Sequence, residues 1–477
     1  FDLPNFKWIP VTQISSLQLY VSQLASGQSV HPFEDLRDYD DWLMRVDDYL
    51  EWIDTAIENM RTGMEKGVVL PKVLAERVIV QLDPFIDTPV QDHLFYQPIT
   101  MLSVEIPEGE IKRLDMAYRE MIEEKLIPKY RELRTFMQDT YLPACRETTG
   151  LVDLPGGKET YDYLIRLHTS TDMTADEIFD LGQQEVARIR GEMEKVMAEI
   201  GFEGDLNAFL DHVRNKPELM PFDKPEEVIA HFNEIHERMK PRLEQLFSTT
   251  PQVGFEVRRT EAFREASASA EYVPGTKDAS RPGVFYVPIP DVKNYNIVSD
   301  EALFLHEAIP GHHYQLSLQQ ENKALPEFLH PEGMGVFVEG WALYAESLGK
   351  ELGLYTDPYQ YFGMLSMEMH RAIRLVVDAG MHAKGWTREQ AIQYSLENEA
   401  ESEASIVSEI ERYMATPGQA LSYKVGQLKI RELRAKAEAA LGEKFDVREF
   451  HAQVLGSGSL PLSLLEEKID IWIASMK

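Results

Sequence analysis

Cysteine is almost absent from this sequence: Cys145 is the single copy in 477 residues, so no disulfide can form within the chain. Long apolar runs are missing as well, since none approaches the roughly 18 residues that a membrane span needs. Basic residues are scarce beside acidic ones, 48 against 80, and the net charge is −32. Such a surface repels nucleic acid and anionic membranes, which we therefore set aside as partners.

Most of the sequence has the periodicity of amphipathic helices. Residues 174–200 are a clear case, because Thr174 and Glu177 form a capping box and Gly201 is a natural end. Between these ends, apolar residues recur at helical spacing. We predict further long helices over 109–138, 387–414 and 422–441.

Strand signals are few. The segments 253–260 and 283–290 are rich in β-branched and aromatic residues, which predicts a small antiparallel β element. The expected fold class is mainly α, a large bundle-like helical fold. We divide the chain into a mostly helical region, 1–250, and a helical region, 251–477, which together form one integrated two-lobed domain.

Three of the 13 histidines fall within eight residues, in the segment EALFLHEAIPGHHYQ. In a straight helix His306 and His312 lie on roughly opposite sides. His306 and His313 share a face but lie about 10.5 Å apart along the axis. Neither pair suits a single zinc ion, whose ligand nitrogens lie about 2.0 Å from the metal.

The Pro310–Gly311 step between the histidines changes this geometry. Proline removes a backbone donor and clashes with the preceding turn, and glycine adds backbone freedom. We expect a kink or bulge here that rotates His312 towards His306.

A second helical stretch, GMGVFVEGWALYAESLG, carries Glu339, which lies 27 residues after His312. Its Glu339 lies among apolar residues, and a buried carboxylate needs a partner such as a metal. A carboxylate from a second helix would complete a His, His, Glu zinc site. Glu346 lies on nearly the same face and would orient a ligand histidine.

Four separated stretches occur in order along the chain: HEAIPGHHYQ, VEGWALYAE, HRAIRLVVDAGMHAKGW and YMATPGQALSYKVGQLKIRELR. Together they resemble a bacterial family of unknown function, many of whose members are described as lipoproteins or secreted proteins. That family is similar to the carboxypeptidase Taq and thimet oligopeptidase families, which are helical zinc peptidases. The resemblance covers at least residues 250–440 and implies a metallopeptidase fold with a deep cleft.

Carried over to this chain, the resemblance implies metal ligands His306, His312 and Glu339, with Glu307 as the catalytic glutamate. His313 stays an alternative ligand, because two residues more than in the usual H-E-x-x-H motif separate the histidines.

The related peptidases use a phenol from a C-terminal helix to stabilise the oxyanion, which makes Tyr423 the candidate here; a packed core tyrosine is the alternative interpretation. Arg371 and Arg374 recur on one helix with other ionisable residues. They either belong to a buried ion-pair network or bind a substrate carboxylate. The strand VFYVPI, just upstream of the histidines, would pair with an extended peptide by strand addition.

The function that this favours is hydrolysis of short peptides by a zinc-activated water with Glu307 as general base, as in a carboxypeptidase or oligopeptidase. Two histidines and one carboxylate are also the ligand set of non-haem Fe(II) enzymes. A non-catalytic metal-binding lipoprotein is a third possibility.

The chain begins at Phe1 rather than Met, so we expect a removed leader and a periplasmic, secreted or lipoprotein-anchored protein, with a cytoplasmic location left open.

Overall fold

Helices make up 70% of the structure and strands 3%, which confirms the mainly α fold class. Among the helices described here, none combines the length and the hydrophobicity that a membrane-spanning segment needs. The computed structural model describes residues 5–14, 16–27, 31–102, 106–261, 265, 268–330 and 333–477.

The α-helices within these residues are numbered in chain order. The first twelve are α1 Leu17–Ala25, α2 Leu36–Lys66, α3 Lys72–Leu82, α4 Pro84–Asp87, α5 Gln97–Thr100, α6 Glu108–Glu120, α7 Ile127–Phe136, α8 Gly157–Thr169, α9 Ala175–Ile200, α10 Leu206–Asn215, α11 Pro225–Met239 and α12 Leu243–Leu246. The others are α13 Asp300–Glu307, α14 His312–Glu321, α15 Gly335–Ser347, α16 Pro358–Lys384, α17 Arg388–Asn398, α18 Glu403–Ala415, α19 Ser422–Leu441, α20 Val447–Leu455 and α21 Leu462–Met476. Short 3-10 turns are Phe6–Trp8, Val90–Asp92, Leu94–Tyr96, Leu142–Ala144, Leu151–Asp153, Pro217–Leu219, Lys240–Arg242, Val292–Asn294, Ile297–Ser299, Glu327–Leu329, Gln419–Leu421 and Gly442–Lys444.

The chain forms two compact units. The first comprises Phe1–Tyr161, Met381–Arg388 and Ser408–Pro417, and the second comprises Asp162–Gly380, Glu389–Val407 and Gly418–Lys477. The division into 1–250 and 251–477 stays a prediction; residue 250 itself lies within the second unit.

The predicted helix over 109–138 lies in the first unit. Helices α6 and α7 follow one another without a break, with a π-helical segment, Met121–Leu126, between them. A second π-helical segment, Met137–Tyr141, follows α7. The helix is therefore present, with its hydrogen-bond pattern widened at two places.

Helices α9 and α19 in the second unit confirm two predictions. The Thr174 hydroxyl accepts a hydrogen bond from the Glu177 backbone N–H, and the Glu177 carboxylate accepts from the Thr174 N–H, as a capping box requires. Gly201 ends α9 with φ of 75°, a left-handed conformation that glycine adopts without strain. The bounds of α19 coincide with the predicted 422–441.

The single helix predicted over 387–414 is wrong. The structure has two helices there, α17 and α18, separated by residues 399–402. Glu399 lies in this gap, is 8% exposed and hydrogen-bonds through Oε2 to Nδ1 of His370 on α16. The helix is interrupted where this buried pair forms, and such a contact across the fold leaves no local signal in the sequence.

A small three-stranded sheet precedes the histidine motif. Its strands are β1 Phe255–Arg259, β2 Glu271–Val273 and β3 Gly283–Val287, in the order β1-β3-β2. Strand β2 is antiparallel to β3, but β1 is parallel to β3, so the prediction of an antiparallel element is corrected to a mixed sheet. The connection between β1 and β3 is long enough for the crossover that parallel strands need, and β2 lies within it.

Helices α15 and α19 cross at very short range. A Cβ on Gly340 would lie 2.5 Å from Cα of Gly426, and a Cβ on Gly426 would lie 2.0 Å from the carbonyl oxygen of Val336. Only glycine fits at either position. Because Glu339 directly precedes Gly340, this crossing fixes where its carboxylate can lie.

A buried ion-pair cluster ties α19 to two further helices. Lys424 is fully buried, and its Nζ donates to Oε1 of Glu368 on α16 at 2.7 Å. It also lies 2.8 Å from Oε2 of Glu185 on α9. Burying these charges is tolerable only because they are paired, and the pairing joins α19 to α9 and α16.

Candidate metal centre

The helix expected across the histidine motif is interrupted. Helix α13 ends at Glu307 and α14 begins at His312, so residues 308–311 form a non-helical link. Pro310 has no N–H to donate. A Cβ at Gly311 would lie 1.9 Å from the carbonyl oxygen of His306, so no other residue fits in this conformation. The expected kink is in fact a complete break between two helices.

Trp341 holds the 308–311 link in place. Its Nε1 donates a hydrogen bond to the carbonyl oxygen of Pro310 at 2.8 Å, and its side chain is fully buried on α15. Trp341 was not predicted to have a role at the site. The sequence feature that could have identified it is its position two residues after Glu339, in the motif VEGWALYAE.

The link brings the two histidines together. The ring centroids of His306 and His312 are 4.7 Å apart, with the ring planes at 87°. Oε2 of Glu339 lies 3.6 Å from Nε2 of His306 and 3.6 Å from Nε2 of His312. One potential ligand atom from each of the three residues lies within 4.8 Å of the other two. The structure thus brings together the three residues predicted as ligands.

The arrangement is compatible with a zinc ion. Ligand atoms around a tetrahedral zinc lie about 3.3 Å from one another, close to the 3.6 Å from the Glu339 carboxylate to each imidazole. Oε2 of Glu339 is buried without a hydrogen-bond partner, which is costly unless a cation or water satisfies it. Two imidazoles and a carboxylate are a donor set of catalytic zinc sites.

Glu346 lies behind His306, as predicted for an orienting residue. Its side chain is 1% exposed, and its Oε1 is 2.7 Å from Nδ1 of His306. Because a carboxylate accepts the hydrogen bond, Nδ1 carries a proton, and Nε2 faces Glu339. Such a contact fixes the tautomer and ring orientation of a ligand histidine.

The electrostatics of the three residues differ. Burial alone would lower the pKa of His306, but Glu339 and Glu346 outweigh it and raise this pKa to about 9. Burial lowers the pKa of His312 to about 4, so this imidazole is neutral. Burial opposes ionisation of Glu339, yet its interaction with His306 lowers the pKa of the carboxylate to about 2. The carboxylates of Glu339 and Glu346 thus favour a positive charge at His306.

Glu307 is the last residue of α13 and directly follows His306. It is 7% exposed, and burial raises its pKa to about 7. The negative charges of Glu339 and Glu271 act in the same direction, whereas Arg371 opposes them. A buried carboxyl group with this pKa, beside a cluster of potential metal ligands, is a typical feature of functional sites.

His313 lies apart from the other two histidines of the motif. Its Nδ1 is 2.9 Å from the hydroxyl of Tyr272 and 3.3 Å from Oγ of Ser317. Its ring also contacts Phe255, with centroids 4.8 Å apart. Among the described residues, His313 does not belong to the group of potential metal ligands. Tyr272 was missed because a three-residue strand such as β2 leaves no periodic signal.

The two arginines predicted to bind substrate have different surroundings. Arg374 is 8% exposed, and its Nη2 is 2.9 Å from Nε2 of His370. Its guanidinium also packs on the ring of Tyr423, 4.7 Å from the centroid. Arg371 is half-buried and donates from Nη1 to the carbonyl oxygen of Met367, while its Nε is buried without a hydrogen-bond partner. Its charge opposes the rise in the pKa of Glu307 and contributes to the low pKa of Glu339.

Solved structures that are similar to this chain include the following two proteins. A candidate lipoprotein from Colwellia psychrerythraea is 30% identical, with a TM-score of 0.89 over 98% of this chain and 80% of its own. A candidate lipoprotein of unknown function from Shewanella oneidensis is 20% identical, with a TM-score of 0.71 over 98% of this chain and 84% of its own, which shows a shared fold. No curated protein matches the chain.

A family model extends the comparison to nearly the whole sequence. The model for bacterial proteins of unknown function, DUF885, matches residues 4–469. This range includes every residue of the candidate metal centre described above. The chain therefore belongs to the DUF885 family of bacterial proteins.

Proposed function

We propose that this protein is a zinc-dependent peptidase that hydrolyses short peptides. The observation that carries the proposal is the convergence of His306, His312 and Glu339, with the buried Glu307 directly beside them. The first three residues would hold the ion, and Glu346 would orient His306. A bound zinc ion would act as a Lewis acid that polarises the scissile carbonyl and lowers the pKa of water to about 7.

Glu307 acts as the general base in this proposal. It would accept a proton from the attacking water and pass it to the leaving amine. The residue is fixed at the end of α13 next to His306, so its position relative to the metal ligands is set by the backbone. A non-haem Fe(II) enzyme uses the same ligand set but has no need of a carboxylate at this position.

Arg371 is the better candidate for binding a substrate carboxylate. Arg374 is engaged with His370 and with the ring of Tyr423. The positive charge of Arg371, by contrast, acts to lower the pKa values of Glu307 and Glu339. Arg374 would instead hold Tyr423, the proposed donor to the oxyanion.

The edge strand β2 is the place where an extended peptide would add to the sheet. The segment VFYVPI was predicted to take this role, but it forms strand β3, which is central and pairs on both sides. Strand β2 is at the edge, and its Tyr272 contacts His313, the neighbour of His312. Strand addition at β2 would therefore bring the peptide backbone beside the metal centre.

The relatives described as candidate lipoproteins support an exported protein. We therefore propose a periplasmic or lipid-anchored peptidase that acts on peptides outside the cytoplasm.

The test is elemental analysis of the purified protein together with digestion of a peptide library. We expect about one zinc per chain and hydrolysis that a chelator abolishes. Glu307→Gln should keep the zinc and lose activity by about 10²–10⁴-fold, because the base is gone and the ligands remain.

Glu327→Gln, an exposed carboxylate in the same unit, is the matched control and should behave as the wild type. Unchanged hydrolysis in Glu307→Gln would remove the proposed role of this residue. Iron in place of zinc, without peptide hydrolysis, would favour the Fe(II) alternative, and a bound metal without any turnover would favour a metal-binding lipoprotein.

A further inference from the structure

A cavity lies at the far end of α14 from His312. Its volume is about 290 Å³, and it is lined by the segment after α12 and by the last turns of α14 and α20. Glu321 lies at its α14 side, Leu455 at its α20 side, and Phe247 with His451 form an aromatic wall. The volume suits a small organic molecule rather than a peptide.

The polar part of this cavity favours positive charge. Of the described residues that line it, Glu321 alone carries a formal charge. The C-terminal ends of α14 and α20 both reach the cavity, and the C-terminus of a helix carries partial negative charge. No lysine or arginine among the described lining residues offsets these contributions.

The carboxylate is held in a fixed orientation. Oε1 of Glu321 accepts hydrogen bonds from the backbone N–H groups of Gln252 and Val253, at 2.8 and 2.9 Å. A group that is already ordered loses little conformational entropy when a ligand binds. Ser248 and Thr250 also line this space, and their side chains are neutral hydrogen-bonding groups.

The aromatic wall is uncharged. The rings of Phe247 and His451 stack with centroids 4.6 Å apart and an interplanar angle of 20°. Nδ1 of His451 donates to the carbonyl oxygen of Leu246 at 2.7 Å, and Nε2 accepts from the hydroxyl of Tyr344 at 2.8 Å. Burial lowers the pKa of His451 to about 3, so the ring stays neutral. His451 has no exposed surface, so Phe247, which is 5% exposed, offers the aromatic surface of the cavity. A neutral aromatic ring attracts alkyl groups and ammonium ions.

We propose that this cavity is a second binding site, which takes a small organic cation: a primary ammonium group with a short apolar chain. The ammonium would lie against the Glu321 carboxylate and the helix ends, and the chain would pack on Phe247 and Leu455. The site shares none of the metal-centre residues, so the proposal stands whether or not the protein is a peptidase.

The probe is n-butylammonium, compared with n-butanol and butyrate by isothermal titration calorimetry and by chemical-shift changes. We expect saturable one-to-one binding of the cation, at least about tenfold tighter than the alcohol, with butyrate weakest. Glu321→Gln keeps an oxygen for the backbone N–H groups but loses the charge, and it should weaken cation binding by about tenfold or more. Glu327→Gln, an exposed carboxylate outside the cavity, is the control and should bind as the wild type.

A second variant tests the location without changing charge. Ala452 lines the cavity, and Ala452→Leu would fill part of it, so this variant should lose binding of the cation. Equal binding of butanol and butylammonium would overturn the proposal. So would an unchanged affinity in both Glu321→Gln and Ala452→Leu, or the absence of saturable binding to the wild type.

Discussion

The role of some residues can be predicted from residue type and motif, whereas the role of others depends on the side chains around them in the folded protein. His306, His312 and Glu339 could be selected from residue type and motif alone, and the structure brings them together. The difference between Arg371 and Arg374 could not, because it rests on which other side chains surround each guanidinium. Burial and hydrogen-bond partners are properties of the folded chain.

Asp300, the first residue of α13, gives a prediction at this scale. It is 2% exposed, and its Oδ1 accepts from the hydroxyl of Tyr295 at 3.0 Å. Its Oδ2 makes no hydrogen bond and lies 3.5 Å from Nε2 of His231. Burial raises the pKa of Asp300 to about 8. The folded protein therefore keeps a proton that the unfolded chain, with an aspartate pKa of about 4, releases.

The free energy of unfolding should consequently fall as the pH rises from about 4 to about 8, and this contribution should level off above that range. Asp300→Asn removes the titration and keeps an oxygen for Tyr295. The free energy of unfolding of Asp300→Asn minus that of the wild type should be larger at pH 8 than at pH 5. Urea unfolding at both pH values measures this difference. Asp139→Asn, at an exposed position, is the control. A relative stability of Asp300→Asn that does not change with pH would contradict this account.

Secondary-structure elements were predictable where their signals are local. The capping box and terminal glycine of α9 marked both of its ends. The gap between α17 and α18 was not predictable, because it coincides with a buried contact to His370. The mixed sheet was missed for a similar reason: β2 is too short for a periodic pattern, and its pairing depends on β3. Pro310 indicated the distortion but not that the helix would stop completely.

The 308–311 link gives a prediction at the scale of the element. Gly311→Ala places a methyl group 1.9 Å from the carbonyl oxygen of His306 and 2.3 Å from that of Leu305. The link must move, and the two histidines should separate. We expect zinc affinity to fall by about 10–100-fold, the range seen when support of a ligand is lost. Competition with a chromogenic chelator measures this, with far-UV circular dichroism as the check on folding.

Gly335→Ala is the matched control, since its added methyl group would meet only Oγ of Ser422, at 3.9 Å. Gly335 begins α15, the helix that carries Glu339. Equal zinc affinity in Gly311→Ala and Gly335→Ala would show that the geometry of the link does not control metal binding.

For the whole molecule, composition and periodicity were enough to predict a mainly helical protein. They could not predict how distant segments combine. The first unit takes Met381–Arg388 and Ser408–Pro417 from far along the chain. Such grouping depends on contacts between residues hundreds of positions apart, as in the ion pair between Arg77 and Glu411 at 2.8 Å. Local patterns carry no information about these contacts.

The net charge of −32 gives a prediction for the molecule as a whole. Repulsion among like charges destabilises the folded state, and salt screens it. The Debye length falls from about 30 Å at 0.01 M salt to about 10 Å at 0.1 M. The midpoint of thermal unfolding should therefore rise over this range, as measured by differential scanning calorimetry. Repeating the series near the sequence pI of about 4.8 is the control, because the rise should vanish there. A midpoint that falls with salt would instead indicate that surface ion pairs dominate.

The interruption of the helix between Glu307 and His312 matters for finding candidate metal sites in other sequences. Pattern searches for metalloenzymes usually demand a fixed number of residues between coordinating side chains. Here two imidazoles meet across a longer insertion, since the intervening residues leave the helical path. A search that allows for a Pro-Gly interruption would recover candidates that fixed-interval patterns discard.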